Sequence, residues 1–308
     1  MLKRKLKYIL HPFFVVYYFF IRIIRGYIGK KNPVFLTKYL YKKTFKRKLD
    51  LNSPTDLNEK ICFLKLFSDT SLWGPLSDKY YVRNYILEKR LGHILVDFYG
   101  VWDDANKINF NILPNSFVLK TNNACETVIL VDDKTNINEN LIRKKLNTWL
   151  KWKDFGISSS IYHYSKIKPV VIAEQFLIED KKSFSTSLID YKIWCFNGEP
   201  YNVLVCYDRT KTSLGLSLYD LDWTDMSDKL VSSNHYKIGK FIPKPESFDE
   251  MIKISKILSK DFPQVRVDLY NINGKVYFGE LTFTSALGMM TYFSKEYLLE
   301  MGSKVVLP

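Results

Sequence analysis

The sequence predicts an α+β protein with mixed or antiparallel sheets in two lobes. Three observations point there. β-rich runs interleave with helical patterns along the chain after residue 48. Two pairs of β-runs turn at Asn-Gly, at Asn197-Gly198 and Asn273-Gly274, a strong short-range hairpin signal. The chain has 308 residues, 46% of them hydrophobic and 16% aromatic, enough for a substantial core.

Residues 1–48 stand apart. They hold ten Lys and four Arg and no Asp or Glu, which is the whole net charge of +14. The remaining 260 residues balance 32 basic against 32 acidic side chains. The uncharged core of "YILHPFFVVYYFFIRIIRGYIG", Tyr8 to Ile21, has 14 residues and contains Pro12. A spanning helix needs about 20 apolar residues. Arg22 and Arg25 follow in place of a small-residue cleavage site, which argues against a secretory signal. The segment reads as a basic, apolar helix lying on an anionic membrane surface, where each basic residue contributes about 1 kcal/mol. A core helix with a solvated basic flank is the alternative. No nucleic-acid-binding motif is present, and the excess charge is tied to an apolar stretch, so no nucleic acid is expected.

Further along, "LDLNSPTDLNEKICFLKLFSD" (49–69) predicts a helix capped by Thr55 or Asp56. "LSDKYYVRNYILEKRLG" (76–92) predicts another, with Ser77 as N-cap and Gly92 as C-cap. Strands follow in "HILVDFYGVW" (93–102), "FVLKTN" (117–122) and "TVILVDD" (127–133). A helix in "NENLIRKKLNTWLKW" (138–152) comes next, then a buried strand in "PVVIAEQFLI" (169–178). The first Asn-Gly hairpin spans 188–209. "ESFDEMIKISKILSKDFP" (246–263) reads as a helix with a Ser247–Glu250 capping box. The second hairpin, 265–284, and a helix over 294–302 close the chain. Four scattered cysteines (62, 125, 195, 206) and four scattered histidines give neither zinc spacing nor a disulfide framework, so a reducing compartment is expected.

The second hairpin, "VRVDLYNINGKVYFGELTFT", carries Asp268 in one run and Glu280 in the other. A two-residue loop would pair Ile272 with Lys275 and put the two acids on opposite faces, because side chains alternate with period 2. A three-residue loop over Ile272-Asn273-Gly274 puts Arg266, Asp268, Glu280 and Thr282 on one face, with Arg266 opposite Glu280. It leaves Val267, Leu269, Tyr277 and Leu281 to a core, so the binary pattern favours three residues. Taken alone, the polar face reads as a solvated Arg–Glu pair. The functional alternative is two carboxylates holding Mg2+ beside a phosphate-clamping arginine.

The ordered set "DKYYVR", "LPNSFVLKTN", "VVIAEQFL", "DYKIWCFNGEP", "YDR" and "RVDLYNINGKVYFGELTFT" resembles the TupA-like ATP-grasp family of bacterial surface-polysaccharide biosynthesis, from about residue 49 onward. The resemblance implies an ATP-grasp fold of two α+β lobes. Residues 1–48 would be the membrane-associating segment, 49–95 a helical region, 96–176 the smaller lobe, and 177–308 the larger lobe with the metal site. It implies ATP and Mg2+ as cofactors, and an acyl-phosphate route joining a carboxylate to an amine. Asp268 and Glu280 match the metal ligands, Thr282 stands where many ATP-grasp enzymes use Asn as a ligand, and Arg266 matches the arginine on the transferring phosphoryl group. Lys120 matches the lysine on ATP phosphate, and Arg83 another nucleotide contact. Glu174, Gln175, Phe176 and Leu177 match the strand that meets adenine, and Glu179 or Asp180 would meet ribose.

Lys192 and Arg209 match basic positions facing the phosphates or the acceptor carboxylate; Arg209 pairing with Asp208 or Asp190 is the plainer reading. After "KTN" the family carries a glycine-rich stretch, where this chain reads Asn123-Ala124-Cys125-Glu126-Thr127. The expected function is a carboxylate–amine ligase for capsule or cell-surface polysaccharide. It would use a lipid- or nucleotide-linked sugar and an amine donor, in the cytoplasm at the inner face of the membrane. A glycosyltransferase or other sugar-modifying transferase, or a catalytically lapsed ATP-grasp scaffold, are the alternatives.

Overall fold

The computed structural model describes residues 20–152, 155–178 and 184–308. Most of the apolar run from Tyr8, together with Glu179 and Asp180, lies outside them. Residues 20–31 are helical (α1) and break at Asn32, whose side chain caps α2 (Pro33–Phe45) by accepting from the Phe35 amide at 2.9 Å. Proline at the first position suits this start, since its missing N–H has no helical partner there. Helix α2 packs Leu36, Leu40 and Tyr41 into a cluster with Leu49, Cys62 and Met289.

Helix α3 (Leu57–Phe67) is capped by Asp56, one of the two expected residues, and Glu59 reaches back to the Thr55 amide. The next expected helix is not continuous. A short α4 (Trp73–Ser77) ends at Ser77, and α5 (Val82–Glu88) begins after a turn whose amides bond to the Asp78 carboxylate. Ser77 is therefore not an N-cap. Nor does Gly92 close α5: the left-handed residue falls earlier, at Arg90 with φ 60°.

The first sheet contains β1 (Phe98–Trp102), β2 (Phe117–Thr121), β3 (Val128–Val131) and β4 (Val171–Gln175), in the order β1-β4-β2-β3, all antiparallel. Period-2 alternation gives it two faces. Phe117, Leu119, Val171 and Ala173 pack with Leu146, Trp149 and Leu150 of α6 (Glu139–Leu150). The other face presents Val118, Lys120, Ile172, Glu174, Val128 and Leu130. A short α7 (Phe155–Ser158) precedes β4.

The second sheet contains β5 (Asp190–Phe196), β6 (Glu199–Tyr207), β7 (Leu214–Tyr219), β8 (Tyr236–Ile238), β9 (Gln264–Ile272) and β10 (Lys275–Thr282). Its order is β10-β9-β5-β6-β7-β8, antiparallel except for the parallel β7–β8 pair. Helix α8 (Phe248–Ser259) buries Phe248, Met251, Ile254 and Leu258 in one cluster with Val265, Val267 and Ile193. The expected capping box of α8 is absent, because the Ser247 hydroxyl bonds to the Gly274 carbonyl in the hairpin turn. The final helix, α9, spans Lys295–Ser303.

The β9–β10 turn departs from the three-residue expectation. Ile272 pairs with Lys275, so the loop has two residues, Asn273 (φ 51°) and Gly274 (φ 76°). Asn-Gly tolerates the two left-handed positions such a loop demands. The acids nevertheless share a face. The register shifts by one between Phe278 and Glu280, leaving Gly279 as a β-bulge, and Glu280 then pairs directly with Asp268. Thr282, and not Glu280, pairs with Arg266. A Cβ at Gly279 would sit 2.9 Å from the Asp268 carbonyl oxygen, so the bulge needs glycine.

Candidate active site

One row of the second sheet runs Glu280–Asp268–Lys192 across β10, β9 and β5, and the next row begins Thr282–Arg266–Trp194. Asp190 lies two residues before Lys192 and so shares its face. The polar residues are thus carried on three neighbouring strands, next to a buried Trp194 whose ring lies 5.9 Å from the Arg266 guanidinium.

Asp268 is 2% exposed. Its Oδ1 accepts from Arg266 Nε at 2.7 Å, and its Oδ2 from Arg266 Nη2 at 2.7 Å and from Lys192 Nζ. This bidentate fork is the strong form of an Arg–carboxylate pair. Arg266 is fixed further by Ser285 Oγ at 3.0 Å and Thr282 Oγ1 at 3.1 Å, and reaches Glu280 Oε1 at 3.5 Å. The Thr282 hydroxyl donates to the same Glu280 oxygen at 3.0 Å. The Glu280 side chain is 44% exposed, so the face opens on its side. Arg209 Nη2 donates to Asp190 Oδ2 at 2.8 Å, making Asp190, and not Asp208, its partner. Lys192 Nζ lies 3.8 Å from the same Asp190 oxygen.

The electrostatics follow from this mutual neutralisation. Burial works against charge on Lys192, but Asp190 and Asp268 outweigh it and hold the ammonium above its ordinary range. Burial works against Arg266 as well, and Asp268 overcomes it. Burial would raise the Glu280 pKa, yet Lys192 and Arg266 bring it below the ordinary carboxylate value. The Asp190 charge, with burial second, drives the Tyr270 phenol upward.

On the first sheet, Lys120 and the buried Glu174 form an ion pair on the face away from α6. Arg83 Nη1 lies 3.7 Å from the same carboxylate, Nη2 donates to the Val96 carbonyl at 3.0 Å, and the guanidinium stacks 5.0 Å over Phe98. Arg83 thus braces β1 against β4. The Gln175 amide bonds to the Asp97 carbonyl at 2.9 Å; Phe176 and Leu177 leave the strand half-buried. Asp180 lies outside the described residues.

The glycine-free loop 122–127 joins β2 to β3 and is tied down by side chains. The buried Asn122 donates to Asp78 Oδ2 at 2.9 Å and to the Lys168 carbonyl at 3.0 Å, and accepts from the Val170 amide at 2.8 Å. Glu126 adopts φ 60°, a conformation that glycine would take without steric cost. Sequence reasoning missed Lys79, whose Nζ donates to the Ala124 carbonyl at 3.0 Å and whose charge also bears on Glu280. The available signal is its place in "DKYYVR", four residues before Arg83.

The donor set suits Mg2+. Asp268, Glu280 and Thr282 offer only oxygen, and the two carboxylates face each other across one strand pair. Among the described residues no group of three His, Cys, Asp or Glu forms a metal cage. Mg2+ does not need one: it takes one or two carboxylates together with waters and substrate phosphates.

The TupA-like ATP-grasp family model matches residues 59–306. No curated protein matches the chain by sequence. Among solved structures, D-alanine–D-alanine ligase from Bacillus anthracis with ATP superposes at 14% identity and a TM-score of 0.45, over 75% of this chain and 62% of that one. The Helicobacter pylori D-alanine–D-alanine ligase gives 16% and 0.45, over 83% and 70%. Phosphoribosylamine–glycine ligase from Thermotoga maritima gives 9% and 0.40, over 68% and 48%. The chain therefore spans about 62% of the length of the Bacillus anthracis ligase.

Proposed function

The chain belongs to the TupA-like ATP-grasp family, and on that premise we propose that it is an ATP- and Mg2+-dependent carboxylate–amine ligase. The observation that carries this reading is the pairing of Asp268 with Glu280 against a buried, bidentate Arg266. Asp268, Glu280 and Thr282 would hold Mg2+, which supplies charge neutralisation at the ATP phosphates. Arg266, held on Asp268, would lend its charge and its remaining Nη1 N–H to the transferring phosphoryl group, whose charge grows toward the transition state. Lys120 meets the phosphates from the first sheet. The segment Glu174–Leu177 receives adenine, with Asp180 on ribose. Lys192 and Arg209 face the phosphates or the acceptor carboxylate.

The carboxylate oxygen attacks the γ-phosphorus and ADP leaves. The amine nitrogen then attacks the acyl carbon, phosphate departs with the bonding pair, and the nitrogen loses a proton. The acceptor class proposed is a lipid- or nucleotide-linked sugar acid of a bacterial capsule or cell-surface polysaccharide. ADP release against panels of amino acids and uronic acids tests this. ADP formed only when both partners are present supports the ligase. UDP from a nucleotide-sugar instead indicates a glycosyltransferase, and no ATP response at all indicates a lapsed scaffold.

The same reading places the protein peripherally on the inner face of the membrane. Among the described residues no helix is long and apolar enough to cross one. Phe20, Ile23, Ile24 and Tyr27 are exposed at helical spacing on α1. Its other side packs inward: a Cβ on Gly29 would meet the Ile157 carbonyl at 2.9 Å, and Arg22 stacks 5.4 Å over Trp152. Removing residues 1–48 would strip α2 from its cluster, so Ile23→Ser with Ile24→Ser is the cleaner test. Reduced binding to phosphatidylglycerol vesicles is expected; unchanged binding contradicts attachment through this face.

A further inference from the structure

Asp268 is the candidate cation ligand, yet both of its oxygens already face positive donors. The two donors differ in freedom. Arg266 is a buried planar fork pinned by Ser285 and Thr282 as well as by Asp268. Lys192 is a single ammonium on a flexible stem, and a second carboxylate stands ready for it: Asp190 Oδ2, 3.8 Å away on the same face of β5. A divalent cation bridging Asp268 and Glu280 needs a lone pair on Asp268 and adds two positive charges beside Lys192. Both demands push the ammonium away from Oδ2.

We infer that Lys192 is a built-in counter-ion that occupies the cation-facing oxygen of Asp268 and transfers to Asp190 when a divalent cation binds. This deepens the proposed function and rests on its reading of Asp268 and Glu280 as the cation site. Every charged group facing Lys192 takes part. Arg266 stays on Asp268, Glu280 gains the cation, and Asp190 exchanges part of its hold on Arg209 for Lys192. The consequence is a site that binds a bare divalent cation weakly. It binds the cation with ATP well, because the phosphates pair with the displaced ammonium.

The test is Mn2+ binding to the full-length protein, read as free Mn2+ by electron paramagnetic resonance, with and without ATP. Lys192→Met is expected to bind Mn2+ alone at least tenfold more tightly than wild type. Lys79→Met, which removes a charge that bears on Glu280 without touching Asp268, is expected to gain less than threefold. Asp190→Asn, which leaves Lys192 only Asp268, is expected to weaken Mn2+ binding. A misfolded variant cannot gain affinity, so the Lys192→Met arm remains decisive. If wild type binds Mn2+ with ATP but Lys192→Met gains no more than Lys79→Met, the counter-ion inference is overturned and the cation site stands. If no variant binds Mn2+ even with ATP, both are overturned.

Discussion

The two Asn-Gly hairpins of the second sheet are built alike and used differently. Both turn through two left-handed residues, Asn197-Gly198 and Asn273-Gly274. Both carry a one-residue register shift in the strand after the turn. In β6 the unpaired residue is Tyr201, whose ring packs 5.6 Å from Phe196 and whose hydroxyl bonds to Glu300. In β10 it is Gly279, pressed against the Asp268 carbonyl. The first bulge gives an aromatic anchor for α9. The second re-aims Glu280 and Thr282 onto the face of Asp268 and Arg266. The same backbone device therefore becomes structural or chemical according to which residues lie beyond the shift.

Gly279→Val is expected to have the largest effect. Its Cβ would sit 2.9 Å from the Asp268 carbonyl oxygen and close the bulge, so the register would run unshifted from Lys275 and Glu280 would pair with Val267, on the face covered by α8. Complete loss of Mg2+-dependent stabilisation by ATP is expected in thermal melts; retention would show that the bulge does not place the site. Next in size is Asp268→Asn, which leaves Arg266 and Lys192 facing each other without their carboxylate. Breaking a buried pair of this kind costs about 3 kcal/mol. Urea unfolding should report it, and a loss below about 1 kcal/mol would contradict the burial argument.

The turns themselves offer a finer contrast. Alanine at either glycine must adopt positive φ, at about 1 kcal/mol. At Gly198 the new Cβ also meets the Lys260 backbone at 3.1 Å, whereas at Gly274 it meets only the movable Glu246 carboxylate at 3.1 Å. Gly198→Ala should therefore lower the melting temperature more than Gly274→Ala. The smallest effect is electrostatic. The folded pKa of Glu280 lies below its ordinary 4.5, so its charge adds stability above that pH and the gain fades as pH falls through the folded value. The melting difference between wild type and Glu280→Gln should be largest near pH 6 and shrink toward pH 3.

Much of this was legible in the residues. Turn chemistry located both hairpins, and the period-2 pattern favoured Arg266, Asp268 and Glu280 on one face. That arrangement is present while the route to it differs: alternation counts residues and cannot tell a longer loop from a bulge five positions after Gly274. Gly279 was the available sign, a glycine within a strand beside an acid. Capping was less legible where tertiary contacts compete, as when the Ser247 hydroxyl is drawn to the Gly274 carbonyl. The loop after Asn122 lacks the glycines that the resemblance leads one to expect. Its order comes instead from Asp78, 44 residues away in sequence, and local pattern does not report such a contact.

The central claim is that Asp268 and Glu280 form a divalent-cation and nucleotide site. The most direct measurement is the melting temperature with millimolar ATP, with and without Mg2+, in wild type and Glu280→Gln, a change at a half-exposed side chain that leaves the buried pairs intact. A ligand at 100 times its Kd adds about 2.7 kcal/mol. A rise of several degrees in wild type that requires Mg2+ and is largely lost in Glu280→Gln is expected. An equal rise without Mg2+, or one undiminished in Glu280→Gln, would contradict it.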